Sequence, residues 1–225
     1  MMNGVIYWSN TDESLNIAKY INKKTGFQLY NLETLKERDF DNIFLVFPIH
    51  YQSVPLQIKP TLKEVRFNKA VVVLTYGKIN HGDALNEAQK LLQGMVVGGA
   101  YIPCKHTYIL NDKSFNDYEK LDLIIDMIKR DTEIIFPHQK RNPFAKVLPV
   151  FRHRLSVKII RTERCNNCGV CDSICQHIKN GVTDNKCFRC LKCVKCCTQK
   201  ALKFKTSWIL RNYLSKQKDD NLVYY

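Results

Sequence analysis

Nine of the ten cysteines in this 225-residue chain lie between positions 165 and 197, in two runs. The first is Cys165-Asn166-Asn167-Cys168-Gly169-Val170-Cys171-Asp172-Ser173-Ile174-Cys175. Eleven residues later comes Cys187-Phe188-Arg189-Cys190-Leu191-Lys192-Cys193-Val194-Lys195-Cys196-Cys197. Each run has the spacing C-x2-C-x2-C-x3-C, with Cys196 as an extra. Met1 to Trp8 lack the basic segment that precedes the apolar run of a signal peptide, so a reducing cytoplasm is the expected setting. Thiols packed this closely in such a chain read as metal ligands rather than as a disulfide framework. A four-thiolate zinc ribbon can be drawn from Cys168, Cys171, Cys187 and Cys190. It would leave Cys165, Cys175, Cys193 and Cys197 without a role.

The duplicated spacing resembles that of bacterial ferredoxins holding two [4Fe–4S] cubanes. Three cysteines two residues apart can wrap a loop round three corners of one cube, and the fourth reaches across to the other. The resemblance implies Cys165, Cys168, Cys171 and Cys197 on the first cluster. It implies Cys187, Cys190, Cys193 and Cys175 on the second. Such ferredoxins carry Pro after the fourth cysteine of each run; here Gln176 and Thr198 stand there. Cys196 occupies the place of an ordinary apolar residue and reads as a spare buried thiol.

Charge divides the chain unevenly. Residues 1–137 hold 16 Lys and Arg against 16 Asp and Glu, and residues 138–225 hold 19 against 5, so the whole net charge of +14 sits with the cysteines. Lysines between the ligands, such as Lys186, Lys192 and Lys195, would offset the negative charge of thiolate-held clusters. A zinc-binding module acting on nucleic acid is the rival explanation of a basic half, but no helix-turn-helix or aromatic RNA-binding motif accompanies it. No stretch reaches the roughly 18 apolar residues of a membrane-crossing helix.

The first 137 residues alternate strand and helix signals, which predicts a parallel sheet with helices on both faces. Val5–Trp8, Phe27–Tyr30, Ile43–Phe47 and Ala70–Leu74 are the first four strands. Met95–Leu110 is a fifth, broken by Gly98-Gly99 and Pro103. Thr11–Lys24 carries apolar residues at helical spacing and ends at Gly26. Pro55 can open a second helix that Pro60 keeps short. Asp83 caps a third helix reaching Gln93, and Ser114 caps a last one. This rhythm predicts a flavodoxin-like five-stranded parallel sheet of order 2-1-3-4-5, followed by a small α+β two-cluster domain. Ligands of such sheets lie at the carboxyl ends of the strands, where the order reverses between strands one and three.

The residues at those ends support that placement. Ser9-Asn10-Thr11-Asp12-Glu13-Ser14 resembles the flavodoxin phosphate loop, with Ser9, Thr11 and Ser14 matching and two acids at Asp12 and Glu13 replacing its usual residues. An ordinary helix cap uses the same residue types. Pro48-Ile49-His50-Tyr51 and Thr75-Tyr76-Gly77 end strands three and four, where a flavodoxin holds its isoalloxazine. Together with Ile102-Pro103, a linker and the two cysteine runs, these loops make residues 4–205 resemble the flavodoxin-plus-ferredoxin fusion proteins of anaerobes. The resemblance implies FMN and two [4Fe–4S] clusters in one electron-carrying chain. A flavin-dependent oxidoreductase with a small substrate over FMN is the alternative.

The expected domains are 1–137, a basic linker over 138–160 containing Pro143 and Pro149, a two-cluster domain over 161–206 and a tail over 207–225. Ser207–Leu214 reads as an amphipathic helix packed on the cluster half. No Ser-His-Asp set, carboxylate pair or G-x-G-x-x-G is present, so no catalytic residue is assigned. The basic half predicts an acidic redox protein as partner.

Overall fold

Strands buried on both faces should be continuously apolar, and the two longest runs here behave so. The computed structural model describes residues 2–109, 112–140, 154–217 and 222–225. Its strands begin with β1 (Asn3–Tyr7), β2 (Gln28–Asn31), β3 (Asp39–Pro48), β4 (Arg66–Tyr76) and β5 (Gln93–Pro103). These pair in parallel in the order 2-1-3-4-5. That is the doubly wound order in which the switch point lies between β1 and β3. Successive residues of β4 serve opposite faces: Ala70, Val72 and Leu74 enter one apolar cluster, Val71 and Val73 the other. Such two-sided burial is what a parallel sheet requires.

Four short helices cover the two faces. In α1 (Glu13–Thr25), Ser14, Ile17, Ala18 and Ile21 turn inward at a 3.6-residue period, and left-handed Gly26 closes the helix by donating to the Asn22 carbonyl. Helix α4 (Leu121–Asp126) joins α1 on that face through Leu121 and Ile124. Helices α2 (Lys59–Glu64) and α3 (Ala84–Gln89) place Leu62, Leu85 and Ala88 on the other. Pro60 sits in the first turn of α2, where a missing N–H costs nothing.

The sheet has six strands, not five. Val223–Tyr224 form a strand that pairs antiparallel with Tyr101 and Ala100 of β5. A two-residue strand has no period to read in a sequence. Nor does Gly98-Gly99 break β5. A Cβ on Gly98 would lie 2.7 Å from the Met127 sulfur, and one on Gly99 would lie 2.5 Å from the Phe136 ring. The glycines let those side chains pack onto the strand. The two expected caps also fail. Asp83 makes no capping bond but accepts from the Gln139 N–H, and Ser114 donates to Glu13, well before α4.

The chain divides into two compact units, 1–106 with 111–145 and 218–225, and 107–110 with 146–217. Residues 107–110, within the expected first domain, fall in the second unit, and the expected tail over 207–225 is divided between the two units. The expected linker lies partly on 141–153, outside the described residues. The second unit pairs β6 (Val157–Arg161) with β9 (Leu202–Thr206), both antiparallel, and contains a small β7–β8 hairpin (Ile178–Lys179, Val182–Thr183). Helices α5 (Val170–Ile174) and α6 (Lys192–Cys196) follow the cysteine loops, and α7 (Trp208–Leu214) is capped by Ser207. Leu214 of α7 is buried and Leu210, one turn earlier, is half-buried, whereas Trp208 and Ile209 are 71% and 73% exposed. Among the described residues no helix is long and apolar enough to cross a membrane.

Replacing Gly99 with Ala should overpack Phe136 and Leu85 and cost about 1–3 kcal/mol. The check is thermal unfolding: an unchanged midpoint would mean that Phe136 moves aside freely.

Candidate functional site

In the first unit the parallel strands deliver their carboxyl ends to one edge, and hydrogen bonds tie those ends together. The Trp8 N–H donates to the Val46 carbonyl, Ile49 N–H to Thr75 and Cys104 N–H to Tyr76, at 2.8–2.9 Å. Trp8 and His50 meet edge to face at 5.4 Å. The candidate residues at the ends of β1, β3 and β4 are therefore neighbours.

They are not equally available. Ser14 and Thr75 share a buried hydroxyl–hydroxyl bond of 2.9 Å, which commits both to the interior. Glu13 accepts from Ser114. Asp12 adopts a left-handed φ of 68° at the start of α1, its side chain making no cap. Ser9, Asn10 and Thr11 remain half-buried. The Asn10 side-chain nitrogen is buried without a partner among the described residues. A buried donor left unpaired is costly, so its place beside a helix N-terminus fits an anion with acceptor oxygens. The phosphate of FMN is such a group.

The loop after β3 is a tight reversal. His50 and Ser53 exchange both backbone hydrogen bonds, at 2.9 and 3.0 Å. Tyr51 and Gln52 between them both have positive φ, 55° and 61°, the geometry of a type I′ turn that ordinarily uses Asn-Gly. Gly82 lies against it; a Cβ there would sit 2.6 Å from the Gln52 carbonyl oxygen. At the end of β4, Tyr76 meets His81 edge to face at 5.4 Å, and His81 stacks on Tyr101 at 3.9 Å. Gly77 is required because a Cβ would come within 2.2 Å of the His106 ring.

Beyond Gly77 lies a polar cluster that the sequence did not announce. Lys78 and Asp112 form a buried ion pair of 3.1 Å, and Asp112 also accepts from the His106 N–H at 2.6 Å. Burial pushes the His106 imidazole down to about 4, against the opposing pull of Asp112. His106 and Asp112 lie 28 and 34 residues beyond Lys78.

In the second unit both cysteine runs turn through left-handed positions, at Asn167 and Gly169 in the first and Arg189 and Leu191 in the second. A cavity with about 370 Å³ of empty space, part of it open, is lined by Cys165, Cys168, Cys171 and Cys197 with Gly169 and Ala201. Cys196 is not in its wall; that sulfur faces the Cys193 carbonyl at 3.3 Å. Cys171, Cys175 and Cys197 pack against the small cluster that holds buried Cys193. Burial first, then the nearby Cys175 and Cys187 thiols among other neighbours, push Cys190 up to about 11 and Cys193 up to about 12. The cysteine that ends each run is held by a backbone N–H. Ala201 donates to the Cys197 sulfur at 3.2 Å, and His177 donates to Cys175 at 3.4 Å. Asp184 accepts from the Lys186 and Cys187 N–H groups and pairs with His177 at 3.0 Å. Among the described residues no three His, Cys, Asp or Glu converge to hold a single ion. From residue 185 to 217 there is no acid, against nine Lys and Arg.

No protein-family model and no curated protein matches this chain. Among solved structures it is similar to a "putative flavoprotein" from Bacteroides uniformis ATCC 8492, at 14% identity and a TM-score of 0.38, covering 57% of this chain and 98% of that one. It is also similar to a "putative flavoprotein" from Bacteroides eggerthii DSM 20697, at 17% identity and 0.39, covering 58% and 99%.

Because His106 is kept neutral when folded, the unfolded chain binds its proton first as pH falls below the ordinary value of 6.5. The stability this group contributes is complete above that pH and is lost towards pH 4, by about 3 kcal/mol. Denaturant unfolding of His106→Gln between pH 4 and 7 should show a shallower pH slope than wild type; parallel slopes would refute it.

Proposed function

We propose that this chain is an iron–sulfur flavoprotein carrying electrons between two [4Fe–4S] clusters, FMN and an acidic redox protein. The observation that carries the reading is a cavity that thiols of both runs line together. Cys197, from the second run, lines a cavity with the first three cysteines of the first run. Cys175, from the first run, packs against the cluster that holds Cys193 of the second. A zinc ribbon would draw Cys168 and Cys171 together with Cys187 and Cys190, and so break up the set of thiols that lines this cavity.

Bound cubanes exchange single electrons and FMN one or two, so a chain holding both can couple the two kinds of traffic. The chain's own residues supply ligation, shape and charge. Half-buried Cys190 and buried Cys193 must give up protons to bind, which couples cluster insertion to proton release. The Ala201 and His177 N–H groups donate to sulfurs that carry negative charge once ligated, and such bonds favour the reduced state. The acid-free stretch from 185 to 217 offers an acidic partner complementary charge, which raises the association rate more than the affinity.

For FMN, Ser9, Asn10 and Thr11 are the phosphate-facing residues. Pro48, Ile49, His50, Tyr51, Tyr76 and Gly77 would border the ring. Ser14 and Thr75 act through each other, fixing α1 against β4. Asp12 and Glu13 would have to turn their carboxylates away from a phosphate; Glu13 already accepts a hydrogen bond from Ser114.

Anaerobically reconstituted protein should hold about eight iron and eight acid-labile sulfide per chain. Cys171→Ser should lose one cluster, and Cys175→Ser the other, resolved by electron paramagnetic resonance. Colourless protein with stoichiometric zinc would overturn the cluster reading. Loss of the same cluster in both variants would overturn the crossed ligation.

The flavin half has its own test. Ser9→Ala with Thr11→Ala removes two hydroxyls that would donate to a charged phosphate, a loss of about tenfold or more in FMN affinity. Titration by flavin fluorescence measures it. An unchanged dissociation constant would make this loop a helix cap alone.

A further inference from the structure

The two cysteine runs take one backbone path with different residues. In the first, the left-handed positions fall at Asn167 (φ 58°) and Gly169 (φ 74°). In the second, they fall at the same places, Arg189 (φ 61°) and Leu191 (φ 63°). Glycine takes this conformation freely and asparagine at small cost, whereas a long side chain such as Arg or Leu is crowded there. Arg189 and Leu191 are nevertheless almost fully buried, at 8% and 2% exposure. A strained loop of this kind persists when its surroundings over-determine it.

The brace comes from outside the cysteine motif. Tyr108 belongs to the second unit, although it follows β5 in the chain. Its hydroxyl donates to the Arg189 carbonyl at 2.7 Å, and its ring lies 6.2 Å from that of Phe204 on β9. The Arg189 guanidinium donates in turn to the Thr183 hydroxyl on β8. The peptide that carries the Arg189 carbonyl also carries the Cys190 N–H, so holding one end orients the other.

We propose that Tyr108 is a positioning residue for the second ligand loop, fixing the peptide between Arg189 and Cys190 so that Cys187 and Cys190 present their thiolates together. The effect on a cluster rests on the iron–sulfur reading above; the brace itself does not. Asn167 and Gly169 give the first loop a path that needs no such support. Tyr108 thus makes the stability of one metal site depend on a residue almost eighty positions upstream of its ligands.

The test is Tyr108→Phe in the full chain, which deletes the hydroxyl and keeps the ring. In anaerobically reconstituted protein, the cluster abolished by Cys190→Ser should lose iron to a chelator several-fold faster and change its midpoint potential. The cluster abolished by Cys168→Ser should keep both values. In the metal-free full chain, alkylation of Cys187 and Cys190 should rise several-fold while that of Cys165 and Cys168 does not. Adding Arg189→Asn, which copies the residue at the matching place of the first loop, should restore the chelator rate and the labelling. Equal changes at both clusters and all four thiols, or none at either, would overturn the proposal. If wild type takes up no iron and sulfide, the iron–sulfur reading falls, and the labelling alone decides the role of Tyr108.

Discussion

A parallel sheet has no free face. Its strands can be joined only by crossovers, the crossovers must cover both sides, and every loop that leaves a strand's carboxyl end arrives at the same edge. That constraint is set here by the unbroken apolar runs of β3 and β4, whose residues feed two separate cores. The convergence of Ser9–Ser14, Pro48–Tyr51 and Thr75–Gly77 follows from it. These segments are distant in sequence, and they meet because the strands that carry them lie side by side.

The cysteine unit obeys a different economy. Its small apolar cluster centres on Ile178, Cys193 and Leu202, with several thiols packed against it. A core of that size supplies little folding energy, and structural metals commonly stand in for the missing burial. The unit instead spends its chain on shape. Left-handed turns, N–H groups aimed at sulfur and the carboxylate of Asp184 arrange the thiols. The first unit is held by what it buries, the second by where its backbone points.

This difference decides what the sequence made legible. Strand order, the covered faces and the position of the candidate loops could be read, because period and run length report burial directly. What escaped depended on single contacts across long separations. Gly98 and Gly99 read as a break because a glycine is silent about the neighbour that fills its space. Ser14 read as a ligand hydroxyl because nothing local reveals Thr75, 61 residues on. The Lys78–Asp112 pair and the Tyr108 brace have no local signature at all.

The strand at Val223–Tyr224 carries a consequence for how the molecule is made. It pairs with β5 and is reinforced by reciprocal hydrogen bonds between Tyr225 and Gly99, at 2.9 and 3.4 Å. Synthesis proceeds from the amino end at about 5–20 residues per second. The other five strands are complete once Pro103 has emerged, yet the outer edge of β5 lacks its native neighbour until some 120 further residues have been added. For several seconds a nascent chain therefore presents the backbone of Ala100 and Tyr101 as an open template, flanked by apolar side chains. An exposed edge of that kind recruits other strands. The thiol-rich segment is made within the same interval, so the edge of β5 stays open while the cysteine runs are still being added.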